Sequence, residues 1–447
     1  MKKGFLIFLL SLFVLSDYCQ IYADELFTDD NKPKIKVTGD GSIMFGQLVS
    51  GYAFGKWESK TNRLKKHWLN HYSGRINAIS EPTDWFKTVI SLEILSAWPI
   101  LRETTIMKDI FKTQFRANLP QAVGIFDFDL NPVSLMIEAG IMEYAFNEEV
   151  KNLGNYMYRS YAYPLNLTTN LDYIYSNLMG IRTRIGLLED NLNFDVIFNS
   201  NTYRAPYFDM NLGFFASFTS PNKFIDAGLG ICFDRLIAIN DTLTDAINQR
   251  TVLGDSTLSL RATKLDARVT FDPKVLFPDI SVFGPNDLKF YAEAAILGFE
   301  DPDYFPKDTA NPSIYDSLYP EPSIFHRIPI LLGINIPTFK LLDLLSVEFE
   351  YCKYPYPFDW WGVTGSFPSP KPSAPTDSTW VNNYKNKDNL KWTAYAKKSI
   401  SNFDIIAIFS NDHVLYSTHS AESQFNQEQS LRKKGDWQWH VKLQYRL

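Results

Sequence analysis

The chain has 447 residues, a net charge of −6 and an aromatic content of 15%. The acidic balance argues against a nucleic-acid partner, because nucleic-acid-binding domains carry clustered positive charge. After residue 23 the chain has no apolar run long enough for a membrane-spanning helix, which needs about eighteen or more apolar residues. This length would favour more than one domain, but no linker divides the chain, and β-barrels run long as one domain.

The amino terminus has the pattern of a secretory signal peptide. Lys2 and Lys3 precede the apolar run 5–15, and residues 21–23 form an acceptable cleavage site before Asp24. This arrangement predicts a cleaved signal peptide at 1–23 and an exported mature chain at 24–447. The alternative is a retained membrane anchor.

The mature chain is dominated by segments in which apolar and polar residues alternate. Successive side chains of a β-strand point to opposite faces, so such alternation predicts strands with one apolar face. We predict sixteen strands at 35–52, 68–80, 85–96, 121–129, 133–142, 178–187, 192–199, 211–219, 223–236, 257–271, 288–297, 327–338, 345–354, 390–399, 403–410 and 437–447. Pro329 and Pro337 weaken the prediction for 327–338, because proline cannot donate a hydrogen bond to a neighbouring strand.

The connections between these strands fall into two classes that alternate along the chain. Short turns lie at 81–84, 130–132, 189–191 and 220–222. Longer polar connections lie near 55–67, 97–113, 146–172, 201–209, 238–255, 300–325, 355–388 and 412–436. Short periplasmic turns and long extracellular loops are typical of outer-membrane barrels. The sequence therefore predicts an all-β transmembrane antiparallel barrel of about sixteen strands, with a secreted soluble β protein as the alternative.

The last segment of the chain has the cleanest alternation. Trp437, Trp439, Val441, Leu443, Tyr445 and Leu447 share one face, and Gln438, His440, Lys442, Gln444 and Arg446 share the other. This closing strand resembles the assembly signal of bacterial outer-membrane proteins through Trp439, Tyr445 and Leu447, although those proteins usually end in Phe or Trp. The resemblance implies the bacterial outer membrane as the location, with its lipid and the barrel assembly machinery as partners.

The chain also resembles bacterial porins in its third long connection. This connection, at about 143–175, lies between the fifth and sixth predicted strands, where the loop of sixteen-stranded porins folds into the lumen. Its charged residues, predicted to form a constriction, are Glu148, Glu149, Lys151 and Arg159. The alternative is a loop that lies over the barrel mouth.

Strand parity places charges of both signs on the inner face. The predicted pore-lining residues are Arg75, Lys87, Glu93, Glu138, Arg182, Arg184, Glu348, Glu350, Lys391, His440 and Lys442. Lys36, Asp40, Asp195, Asp226, Asp234, Asp266, Arg268, Lys289, Glu293, Lys397 and Arg446 share that inner parity. Buried charges must be paired or hydrated, so the interior is either water-filled or a salt-bridge network. We expect the carboxylates of the third connection to face Arg182 and Arg184 across the pore, or to pin the loop to them.

The motifs of an enzyme or a metalloprotein are missing from the sequence. We find no zinc-type spacing of His and Cys, no phosphate-binding loop and no nucleophile elbow. Cys232 and Cys352 show no redox or metal spacing, so we expect two unpaired thiols and no cofactor.

Two functions remain open. The first is an outer-membrane channel for passive passage of small hydrophilic solutes. The second is a surface-binding or structural barrel that uses the aromatic loop 354–361 to hold a polysaccharide or a protein partner. Many porins are homotrimers, and the resemblance leaves that assembly open for this chain.

Overall fold

Sixteen antiparallel strands close into one barrel in the computed structural model. The structure describes residues 34–52, 63–97, 115–161, 166–167, 175–200, 208–237, 239, 262–277, 282–299, 323–353, 363–364, 367–368, 388–414, 431 and 433–447. The barrel strands are β1 (Lys34–Tyr52), β2 (Arg63–Thr83), β3 (Phe86–Ala97), β4 (Phe115–Asp129), β5 (Ser134–Tyr144), β6 (Ser176–Leu187), β7 (Leu192–Ser200), β8 (Met210–Thr219), β9 (Ile225–Ile237), β10 (Ala262–Phe271), β11 (Phe290–Ile296), β12 (Ile330–Asn335), β13 (Leu344–Tyr351), β14 (Leu390–Ile400), β15 (Phe403–Asn411) and β16 (Trp437–Arg446).

Each strand pairs with its neighbours in sequence, and the last strand pairs with the first. Tyr445 of β16 lies opposite Gly41 of β1, and Trp439 lies opposite Gln47. The amide of Leu447 donates to the carbonyl of Gly39 at 2.7 Å. This pairing leaves neither edge of the sheet open, and it confirms the prediction of an all-β antiparallel barrel of about sixteen strands.

Proline sets the limits of β12, where the predicted strand was too long. The predicted range was 327–338, but β12 covers only Ile330–Asn335 and lies between Pro329 and Pro337. A 3-10 helix, Ile324–Arg327, precedes it. Proline has no amide hydrogen for the ladder, so the strand includes neither proline, although the carbonyl of Pro329 still accepts from the amide of Ala295 at 3.2 Å.

The shortest turns lie at the end of the barrel where β1 begins and β16 ends. Residues 84–85 join β2 to β3, and residues 401–402 join β14 to β15. The longest connection at this end, 272–289, contains a second 3-10 helix, Pro273–Leu276. The connections at the other end lie mostly outside the described residues, but most of the connection 145–175 between β5 and β6 is described.

The strands expose apolar side chains and bury polar ones. On β3, Ile90, Leu92 and Ile94 are 51%, 58% and 56% exposed, whereas Ser91 and Glu93 between them are 0% and 5% exposed. The same pattern holds on β13, where Phe349 and Tyr351 are exposed while Glu348 and Glu350 are buried. A soluble protein packs its apolar face inward, so this barrel has the opposite arrangement of faces.

Several predicted features lie outside the described part of the chain. These are the signal peptide at 1–23, the aromatic loop at 354–361 and most of the long connections. Within the described ranges, no helix has the length and hydropathy to cross a bilayer.

Candidate functional site

Residues 145–161, called the inner loop below, pack against the inner face of β11, β12 and β13. Val150, Leu153 and Tyr156 are 0–1% exposed. They form one apolar cluster with Tyr291, Ala295, Leu297, Leu331 and Cys352. The inner loop also contains α1 (Tyr156–Arg159), a helix of a single turn.

The side chain of Glu348 in β13 binds the backbone of the inner loop. Its carboxylate accepts hydrogen bonds from the amides of Lys151 at 2.5 Å, Asn152 at 3.0 Å and Leu153 at 2.9 Å. The hydroxyl of Tyr291 donates to the same carboxylate at 2.9 Å. A buried carboxylate is stable when hydrogen-bond donors surround it, so these contacts satisfy Glu348 and three loop amides together.

Two further glutamates anchor the same segment. Glu293 of β11 accepts from the amide of Tyr156 at 2.9 Å and from the side-chain amide of Asn147 at 2.8 Å. Glu350 of β13 accepts from the Tyr156 hydroxyl at 3.1 Å, and its other oxygen lies 2.5 Å from Nε2 of His413. The loop is therefore attached to the wall at three neighbouring carboxylates.

Glycine allows the loop backbone to approach Glu293 closely. Gly154 has a φ of +78°, and a Cβ atom there would lie 2.9 Å from Oε2 of Glu293 and 3.0 Å from a methyl group of Val150. Any other residue would meet both backbone strain and a clash with the anchoring carboxylate.

The far side of the inner loop packs against aromatic and basic residues. Phe215 of β8 contacts Tyr144, Phe146 and Tyr158, with ring centroids 5.0–6.0 Å apart. The guanidinium of Arg182 lies 5.1 Å from the ring centre of Tyr144. Arg268 has the same distance to the ring of Phe146. The inner loop thus contacts the barrel on both flanks.

The charges of the inner loop find partners on the wall and within the loop itself. Lys289 pairs with Glu149, and Arg159 donates to the carbonyls of Asn152 and Gly154. Burial lowers the pKa of the Lys151 ammonium group, while Glu149 and Glu348 oppose that shift. Burial likewise lowers the pKa of Arg159, against the effect of Glu293, Glu348 and Glu350. Glu148, the fourth predicted constriction residue, is exposed.

No carboxylate of the inner loop is paired with Arg182 or Arg184 in the described residues. Both arginines bind Asp195 of the adjacent strand, at 3.0 and 2.9 Å, and Arg182 also binds Glu138 at 2.9 Å. Glu149 binds Lys289 instead of either arginine. The alternative in which a loop carboxylate pins the loop to Arg182 or Arg184 is therefore wrong, because neighbouring strands supply the partners of both arginines. A loop carboxylate that faces them across the pore stays a prediction.

The wall formed by β2 to β6 keeps more exposed charge than the wall under the inner loop. Arg75 forms a bidentate ion pair with Glu143, at 2.7 and 3.0 Å, and both side chains remain about one-fifth exposed. The side chain of Arg184 is 38% exposed, and that of Lys87, 3.8 Å from Glu81, is 42% exposed. Lys442 of β16 is half-buried.

Five predicted pore-lining residues are instead covered. Glu93, Glu348, Glu350, Lys391 and His440 are 0–5% exposed. Lys391 donates to the side chain of Asn411 and to the carbonyl of Leu431. Parity assigned these side chains to the inner face, but it could not show which of them other segments cover.

Several residues that hold the inner loop were missed. Asn147 and Tyr291 carry no charge, so the search for charged residues passed over them. Only their contacts with distant segments mark them. In the described ranges no group of three or more His, Cys, Asp or Glu side chains could hold a metal ion. Cys232 and Cys352 are buried, and neither forms a disulfide.

The fold and this interior define a class, the sixteen-stranded β-barrel with a charged lumen. Solved structures similar to the chain include a triple mutant of the Rhodopseudomonas blastica porin, at 9% identity and a TM-score of 0.42 over 92% of this chain and 100% of that one. They also include the trimer form of OmpT, an outer membrane protein of Vibrio cholerae, at 8% identity and a TM-score of 0.42 over 93% and 100%. No family model and no curated protein matches the chain. The fold assignment therefore rests on the strand pairing itself.

Proposed function

We propose that the chain is a porin-like channel of the bacterial outer membrane, through which small hydrophilic solutes pass passively. The observation that carries the proposal is the inverted barrel, with apolar side chains outside and charged side chains inside. Outer-membrane barrels have a lipid-facing apolar band and a polar interior. Closure of β16 on β1 leaves no strand edge to meet lipid.

Aromatic clusters on the barrel support a membrane location. Phe45, Trp68 and Trp439 pack together in the half nearer the long connections, with ring centroids 4.9–6.1 Å apart. Trp85, Phe86, Phe126 and Phe128 form a second cluster near the short turns. Aromatic residues at both ends of an apolar band are typical of the two membrane interfaces.

The solute path is proposed to lie between the inner loop and the opposite wall. The carboxylates under the loop, Glu293, Glu348 and Glu350, are 0–1% exposed, so this side of the lumen is filled. The side chains of Arg184 and Lys87 on the other wall remain partly exposed. The loop would therefore narrow the lumen, and Arg75, Lys87, Glu138, Arg182, Arg184 and Lys442 would border the path.

The rest of the proposal concerns export and assembly. It includes a cleaved signal peptide at 1–23, insertion by the barrel assembly machinery, short turns in the periplasm and long loops outside the cell. We also propose a homotrimer, which chemical crosslinking in membranes would test.

Liposome swelling tests the proposal. Vesicles that contain the purified barrel should swell in sugars at a rate that falls with sugar size, because passage through a narrowed lumen is sieved. Vesicles with heat-denatured protein are the control. Swelling no faster than in the control would overturn the channel.

A further inference from the structure

Two cationic side chains share one buried carboxylate on the inner face, at the end of the barrel where β16 ends. Nζ of Lys397 in β14 lies 3.1 Å from Oδ2 of Asp404 in β15. Nη2 of Arg446 in β16 donates to Oδ1 of the same carboxylate at 2.9 Å. One carboxylate balances the charge of a single cation, so this group of three side chains keeps an unbalanced positive charge.

The two cations are more accessible from the lumen than the carboxylate between them. The side chains of Lys397 and Arg446 are 31% and 51% exposed, whereas that of Asp404 is 4% exposed. Phe403 and Ile405, on either side of Asp404 in β15, are exposed on the apolar outer face, so Asp404 points inward. A solute in the lumen would therefore contact the ammonium and guanidinium groups before it reached the carboxylate.

The neighbouring side chains are also cationic on balance. Lys442 of β16 faces Lys397 across Ile406, and Asp40 of β1 lies opposite Arg446. Among the described side chains on the inner face of β14, β15, β16 and β1 at this end of the barrel, cations outnumber carboxylates. The cations are Lys36, Lys397, Lys442 and Arg446, and the carboxylates are Asp40 and Asp404. The electrostatic potential over this part of the wall is therefore positive.

We propose that Lys397 and Arg446 form a binding site for small anionic solutes, which carry a carboxylate or a phosphate group. The bound anion accepts hydrogen bonds from the ammonium group and from the guanidinium group, which has several N–H donors. Hydrogen bonds between ionised partners are the stronger ones, and the guanidinium fork matches the oxygens of carboxylates and phosphates. The solute class rests on the proposed channel function, whereas binding of an anion to the barrel does not.

Lys398 is a matched control on the same strand. Its side chain is 34% exposed, which is close to the value for Lys397, but it has outer parity and pairs with Asp343 at 3.3 Å. In the barrel purified in nonionic detergent, saturating inorganic phosphate should slow acylation of Lys397 by an amine reagent at least about threefold, because the bound anion covers the amine. Acylation of Lys398 should not change. Fragment mass spectrometry separates the two lysines, and equal slowing of both, or of neither, would overturn the proposal.

Variants test the charge balance of the site. Broadening of the phosphorus NMR line of inorganic phosphate measures binding, at low ionic strength where screening is weak. Lys397→Gln should weaken binding at least about threefold, because Asp404 then balances the remaining cation of the pair. Lys398→Gln removes the same charge from the outer face and should bind phosphate like the wild type. Asp404→Asn should strengthen binding, since both cations lose their carboxylate.

Failure of the site and failure of the channel give different results. Heat-modifiable migration first establishes that each variant forms a barrel. Equal phosphate affinities in Lys397→Gln and Lys398→Gln would overturn the anion site, even in a barrel that conducts ions in planar bilayers. A barrel that binds phosphate as predicted but conducts no ions would refute the channel and leave the anion site intact.

Discussion

Removal of the Glu348 carboxylate should detach the inner loop. In Glu348→Ala the amides of Lys151, Asn152 and Leu153 lose their acceptor in a site with 0% exposure. A buried donor without a partner costs about 1–3 kcal/mol. Three amides at the lower limit give about 3 kcal/mol, and about 1.4 kcal/mol is a tenfold change in an equilibrium constant. The docking equilibrium should therefore fall by at least about 100-fold.

The rate at which a small thiol reagent labels Cys352 measures this change, because the thiol lies in the cluster that the loop covers. Glu148→Ala is the matched control, since it removes an exposed carboxylate from the same loop. We expect fast labelling in Glu348→Ala and the wild-type rate in the control. A wild-type rate in both variants would refute the view that the wall carboxylates hold the loop.

Four further predictions concern permeation and assembly. Deletion of Glu148 to Tyr158 should raise single-channel conductance in planar bilayers, because it empties the filled side of the lumen; unchanged conductance would place the loop outside the path. Arg184→Gln should shift the reversal potential toward cations, because it removes a partly exposed positive charge. Lys223→Gln, on an exposed turn, is the control and should leave the reversal potential unchanged. Equal shifts in the two variants would contradict the proposed path. Deletion of Trp437 to Leu447 should abolish heat-modifiable migration, because β1 and β15 both lose their partner. Tyr445→Ala loses a ring contact with Phe403, whose ring centroid lies 4.9 Å away. This variant should lower the free energy of unfolding by about 1 kcal/mol. Normal insertion of the truncated chain would show that β16 is dispensable.

The strands could be predicted because their signal is local. Alternation along 437–447 depends only on neighbouring residues, and the structure pairs this segment with β1 and β15. The limits of β12 were less certain, since proline acts at single positions. The predicted range 327–338 included Pro329 and Pro337, and the ladder excludes both.

The contacts of the candidate site could not be read in the same way. Glu348 is separated by 195 residues from Leu153, whose amide it accepts. Glu149 is 140 residues from Lys289. Parity assigned Glu348 and Lys391 to the inner face, but their burial depends on segments that reach them from elsewhere in the chain. Asp195 forms ion pairs with both Arg182 and Arg184 because it lies on the adjacent strand.

Current through a cysteine variant tests the channel and its path most directly. The native Cys232 and Cys352 are buried, so Arg184→Cys would supply an accessible thiol on the wall formed by β2 to β6. A bulky water-soluble thiol reagent should reduce the single-channel current of Arg184→Cys in planar bilayers. Leu332→Cys, on the exposed apolar outer face, should be unaffected. A barrel that conducts no ions, or a current that the reagent leaves unchanged in Arg184→Cys, would contradict a solute path along this wall.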